Sequence, residues 1–171
     1  MSLSMYQASA SVFIRQLKAL ADVLGKGQAF ATERGLNPAE LLEARLAPDM
    51  FPLSRQVQIA SDGAKGAVAR LAGAEVPSFA DTETSFAELQ ERIAKTIAFI
   101  ESIPADQVDG SEDRQIDLKA GGRELSFRGQ PYLLSFVLPN FFFHVTTAYA
   151  ILRHQGVKLE KRDFLGEIQM A

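Results

Sequence analysis

The sequence contains no cysteine and no tryptophan. Without cysteine there is no disulfide framework, no thiolate nucleophile and no thiolate-held metal. A surplus of positive charge is also missing: 18 Lys and Arg stand against 21 Asp and Glu, for a net charge of −3. No basic cluster breaks that balance, so a nucleic-acid partner is not expected. Long hydrophobic runs are absent too. The most apolar window, 132–143, is broken by Ser135, Pro139 and Asn140, and it falls short of the ~20 residues a membrane span needs. The first residues lack a charged segment followed by an apolar one, so no secretory signal is read and a cytoplasmic protein is expected. His-Glu-x-x-His, the P-loop, Gly-x-Gly-x-x-Gly and Gly-x-Ser-x-Gly are all missing, which removes the motif-borne routes to hydrolysis and nucleotide binding. No serine stands out as a triad nucleophile, and no internal repeat is visible.

What remains is an ordinary globular composition. With 171 residues, 47% apolar and 23% charged, the chain suits one domain over 1–171 around a single core.

Its apolar residues recur mainly at helical spacing. Val12, Phe13, Leu17, Leu20 and Leu24 predict one helix over about 4–34, with Gly35 as its stop. Asn37-Pro38-Ala39-Glu40 places an amide cap, a first-turn proline and an acidic third residue in order, predicting a short helix over 38–45. Val57, Ala60, Ala64, Ala67, Val68 and Leu71 predict a third helix over 53–71, rich in small residues that permit close approach. Ser85 with Glu88 forms a second capping box. It starts a helix whose stripe of Phe86, Leu89, Ile93, Ile97 and Ile100 runs to the stop at Pro104. The period then changes from helical to alternating. Ile116 and Leu118, then Leu125 and Phe127, flank Gly121-Gly122, which predicts a β-hairpin that must lean on the helices. The last helix is expected over 131–155. Pro139 either kinks it or sits in the first turn of a fresh helix, and Gly156 caps it. Four long amphipathic helices with one small insertion imply an all-α four-helix bundle, the hairpin preceding the last long helix.

The last helix also holds both histidines. Asn140 and His144 lie one turn apart, ~6 Å, on one face. Two such side chains on a bundle helix are how helical bundles begin a metal site. A third ligand would come from helix 53–71, with Asp62 as first choice and Gln58 or Ser61 as substitutes. The plainer reading makes His144 a core histidine bonded to a buried partner, with Asn140 tying down backbone freed by Pro139. His154 lies ~15 Å further along the axis and rotated by roughly 80°, so it serves the helix end instead. Arg153 is expected to pair with an acidic neighbour. Of three consecutive phenylalanines, Phe141 to Phe143, one must face away from the core.

The run from His144 through Arg153 to Gly156 resembles the last helix of the DinB-like bundle superfamily, which includes metal-dependent thiol transferases. There a His-x-x-x-His pair is followed by an arginine nine residues, and a glycine twelve residues, after its second histidine. His144, Arg153 and Gly156 keep that spacing. Asn140 replaces the first ligand, and helix 53–71 has no histidine for the third. The chain as a whole, including residues 53–62, 70–73 and 139–144, resembles an uncharacterised bacterial family, domain of unknown function 1993, placed in that superfamily. The resemblance implies a DinB-like bundle with a degenerate metal site.

Three readings follow. The first is a non-catalytic binding or structural homodimer without a resident cofactor. The second is a metal-dependent transferase or hydrolase, its altered site holding Zn or Ni weakly through Asn140, His144 and Asp62. In the third, the same cavity binds a small molecule without metal, through His144 and Asn140. No catalytic residue is assigned under any of them.

Overall fold

Four amphipathic helices carry the fold, and their order of packing decides which side chains meet. The computed structural model describes residues 3–168. A short turn α1 (Met5–Ala8) leads into α2 (Ala10–Arg34), followed by α3 (Pro38–Leu42), α4 (Leu53–Ala72) and α5 (Phe86–Ser102). A turn α6 (Ala105–Val108) precedes the antiparallel strands β1 (Gln115–Ala120) and β2 (Arg123–Arg128). Then come the turn α7 (Gly129–Pro131), a π-helical turn over Tyr132–Val137, α8 (Leu138–His154) and α9 (Lys161–Leu165).

α4 packs between α8 and α5, and α2 closes the ring against α5 and, more thinly, α8. The core is made by the stripes read from periodicity. Phe13, Leu17 and Leu20 of α2, Val57, Ala64 and Leu71 of α4, Leu89 and Ile93 of α5, and Phe141 and Ile151 of α8 are all buried. The expected α-helical bundle with a hairpin before the last helix is the observed architecture.

Local chemistry accounts for most boundaries. Ser85 accepts from the Glu88 amide while the Glu88 carboxylate accepts from Ser85, a complete capping box. Asn37 accepts from the Ala39 amide in front of Pro38. Gly121 and Gly122 both take positive φ, 55° and 75°, as a two-residue hairpin turn of this type demands. The hairpin leans on the last helix: the Phe127 ring stacks on Phe136 at 5.4 Å and tilts against Tyr132 at 5.8 Å.

Three details differ from the sequence reading. The helix expected over 4–34 breaks at Ser9, where φ is −118° and ψ −82°. The Ser9 hydroxyl donates to the Met5 carbonyl at 2.6 Å, an acceptor that helix continuation would use. The second helix ends at Leu42 rather than Arg45. The turn before Pro139 is π-helical, with the proline itself in the first turn of α8 as one of the two expectations has it, and the helix runs without a gap from Gly129 to His154. The π-helical turn absorbs the proline. Leu138 donates to the Leu133 carbonyl five residues back, a register in which Pro139 removes no obligatory bond. This helix is long and apolar enough to cross a membrane by length and composition, beyond what the interrupted window suggested. In the bundle its Phe141, Val145, Ala148, Ile151 and Leu152 are buried.

Phe141 is buried, Phe142 half-buried, and Phe143 exposed at 56%, so one of the three faces outward as expected. Beyond Gly156, Phe164 of α9 packs edge-on against Tyr149 at 5.9 Å, and Gln16 donates to its carbonyl. Residues 169–171 lie outside the described residues.

Candidate functional site

His144 and Gln56 form the polar centre between α8 and α4. Pro52 precedes α4 and Leu53 donates back to the Ala44 carbonyl at 3.0 Å, which sets the first turn of that helix. Gln56 therefore stands one turn in, and it is buried. Its amide nitrogen donates to the Phe51 carbonyl at 3.0 Å, so its oxygen is left to face His144 Nδ1, 2.7 Å away. A carboxamide oxygen only accepts, so Nδ1 carries the proton and the neutral ring keeps its lone pair on Nε2. Nε2 has no partner among the described residues. It is also absent from the fully buried orphan atoms, Ser61 Oγ, Arg92 Nε and Ser111 Oγ, and so it still touches solvent. His144 as a residue is only 7% exposed, with Phe143 edge-on against its ring at 5.3 Å. Burial, then the positive charge of Arg55, holds its pKa below the usual histidine value.

The other residues singled out from sequence are not gathered here. Asn140 is exposed and its side chain makes no hydrogen bond among the described residues, so it does not tie down the backbone around Pro139. Asp62 lies six residues beyond Gln56, a net rotation of about 120°. It faces α5, pairing with Lys65 of its own helix and, at 2.8 Å, with Arg92 of α5. Gln58 is on that side too, accepting from Arg55 at 3.1 Å and donating to Glu83 at 2.9 Å. Ser61 is buried with its hydroxyl unpartnered. His154 is exposed at its helix end. Arg153 donates to the Val157 carbonyl at 3.2 Å, serving the helix terminus rather than a carboxylate.

Tested against a divalent cation, this donor set fits poorly. Imidazole Nε2 is the one ligand on offer. The Gln56 oxygen is spent on Nδ1, and the nearby charge is a guanidinium that repels cations. Among the described residues no group of three or more His, Asp and Glu could hold a metal ion, where zinc sites need at least three protein ligands. What the arrangement does offer is a fixed neutral imidazole that accepts one hydrogen bond through Nε2.

Sequence reasoning missed Gln56, Arg55 and a second polar centre around Arg92. Arg92 is almost fully buried, yet it meets Glu83 at 2.8 Å, Asp81 at 2.9 Å and Asp62 at 2.8 Å. Arg55 joins Asp81 as well, and Lys65 lies over the Phe79 ring at 4.3 Å. Three cations and three carboxylates thus pin the segment 74–85 across α4 and α5. The signal was present: Arg92 interrupts the apolar stripe of Leu89, Ile93 and Ile100, where a charge must find partners.

Comparison with known proteins agrees with this architecture. The family described as domain of unknown function (DUF1993) matches residues 5–165. A crystal structure of a DinB family member protein from Shewanella denitrificans superposes with a TM-score of 0.87 at 37% identity. That match covers 97% of this chain and 94% of that one. Comparison with curated proteins finds no match. The chain belongs to the DUF1993 family and has the DinB-like helical-bundle fold.

Proposed function

We propose that the protein is a non-catalytic binding protein, a cytoplasmic homodimer built on a degenerate metal centre and working without a resident cofactor. The observation that supports this reading most is the lack of further ligands around His144: among the described residues no group of three or more His, Asp and Glu gathers, and Asn140 is exposed. Gln56 holds Nδ1, and the charge that acts on the ring, that of Arg55, is positive. Asp62, which would complete an Asn140–His144–Asp62 set, is held by Lys65 and Arg92. A single imidazole nitrogen without companion ligands suits one hydrogen bond from a small polar ligand better than a metal that needs three protein ligands.

Elemental analysis of untagged protein, purified without chelator, tests the metal half. Zinc, nickel and manganese are expected well below one per chain. A stoichiometric metal that His144→Ala removes would overturn the reading and favour the metal-dependent transferase or hydrolase.

The homodimer is supported by an apolar hollow of about 380 Å³ beside the site, lined by Leu46, Phe142, Phe143, Thr146, Thr147 and Ala150. Leu46 and Phe143 are 38% and 56% exposed at its rim. In a two-fold dimer each such patch is covered by its own copy. Light scattering should give a dimer for the native chain and a monomer for Phe143→Ser. A native monomer would remove this half of the proposal.

A further inference from the structure

Building on the metal-free binding reading, we infer that His144 and Arg55 together take a small 2-hydroxy acid, the hydroxyl donating to His144 Nε2 and the carboxylate meeting Arg55. Three observations bear on this. First, a nine-tenths-buried histidine has one ring nitrogen fixed by Gln56 and leaves the other unpartnered at a solvent opening. A neutral Nε2 accepts and cannot donate, so the ligand must bring its own O–H or N–H.

Second, Arg55 spends only Nη1 within the chain, on Gln58 and Asp81. Its Nε and Nη2 have no partner among the described residues, and its side chain is 38% exposed. A guanidinium offering two donors side by side suits a carboxylate. Third, the same end of α4 is uncapped. Pro52 brings no side-chain acceptor, the Leu53 amide is spent on Ala44, and the Gln56 amide on Pro52. The amides of Ser54 and Arg55 are left without an acceptor, at the end of a 20-residue helix where partial positive charge gathers. Gln56, next to Arg55 in this turn, holds the imidazole through Nδ1 at 2.7 Å, and the Arg55 charge acts on the ring.

That combination discriminates among ligands. A simple carboxylate has no donor for Nε2, and its lone pairs would oppose that of the ring. A neutral diol satisfies Nε2 and leaves the guanidinium and the helix end unmatched. An acid with a hydroxyl on the adjacent carbon satisfies both.

The experiment follows the ring nitrogens of His144 by ¹H–¹⁵N NMR while the full-length protein is titrated with lactate, acetate or propane-1,2-diol. Lactate is expected to shift Nε2 and leave the Nδ1–H bond to Gln56 in place. The diol, which loses a charge-assisted bond to Arg55, should bind at least about tenfold more weakly, and acetate, which loses a neutral bond to Nε2, about fivefold. Arg55→Gln should weaken lactate about tenfold and bring it level with the diol. Equal responses to lactate and the diol, or silence to all three probes, would overturn the inference without the use of any variant. Silence in a protein that also proves metal-free defeats only this inference, whereas stoichiometric metal defeats the reading beneath it.

Discussion

Replacing Arg92 with methionine is expected to lower the unfolding free energy by about 3 kcal/mol and to free the segment 74–85. Methionine keeps the unbranched apolar stem of arginine but is shorter and removes every donor. Arg92 bonds Glu83 and the Ala80 carbonyl through Nη1, and Asp62 and Asp81 through Nη2. Stripping one partner from a buried ion pair costs about 3–5 kcal/mol, because the remaining charge is left in a poor solvent. The low end applies, since Asp62 and Asp81 have side chains 40% and 36% exposed and retain Lys65 and Arg55. Glu83, at 11%, is the carboxylate left without a cation, keeping only the Gln58 amide. Denaturant melts read the loss, and limited proteolysis should cut within 74–85. Arg92→Lys should recover only part of it, because one ammonium cannot span three carboxylates with fork geometry.

The same cluster makes stability depend on acid. Burial pushes the Asp81 carboxyl upward, but the hydrogen bond and charge of Arg55, with Arg92, outweigh it and leave the pKa lowered. Glu83 follows the same pattern, burial being outweighed by the Arg92 hydrogen bond. Carboxylates with a folded pKa below their unfolded value add stability above the unfolded pKa, and that contribution disappears as pH falls through the folded one. Native protein should therefore lose stability below the ordinary carboxylate range, and Arg92→Met should lose less over the same window.

Gly129→Ala should cost as much, about 3 kcal/mol, although both residues are small. A Cβ on Gly129 would overlap the Ser111 carbonyl oxygen and lie 3.0 Å from its carbon. Neither side yields easily. The Ser111 oxygen accepts from the Arg114 amide at 3.0 Å, and Gln130 donates to the Glu112 carbonyl at 2.9 Å. Relief means pulling the hairpin away from the last helix and loosening the packing of Phe127 on Tyr132 and Phe136. Forced overpacking costs about 1–3 kcal/mol, and backbone against backbone sits at the top of that range. Gly25→Ala is the contrasting control. Nothing lies within 4 Å of its Cβ position in the middle of α2, so alanine should add about 0.5–1 kcal/mol through helix propensity. Thermal melts of the two variants should move in opposite directions.

These contrasts mark where sequence and structure part. Helix stripes such as Leu89–Ile93–Ile100 were legible because burial on one face leaves a 3.6-residue period, and Ser85 and Glu88 marked their start because capping is local chemistry. The hairpin was legible in Gly121-Gly122, since its turn requires positive φ at both positions. Ser9 and the π-helical turn escaped, because each depends on which carbonyl a neighbouring group captures. The site was half legible. His144 stood out by type and position, but Gln56 carries no motif, and it became a partner only when α4 and α8 aligned antiparallel. Asp62 looked equally available in sequence until Arg92, thirty residues later, turned out to hold it.

The nitrogen spectrum of His144 tests the central claim most directly, recorded on protein as purified and again with one equivalent of zinc. A protonated Nδ1 coupled to Gln56 and a bare Nε2, both unmoved by zinc, is the expected result. An Nε2 resonance already shifted by a metal, or one that zinc shifts stoichiometrically, would contradict the account.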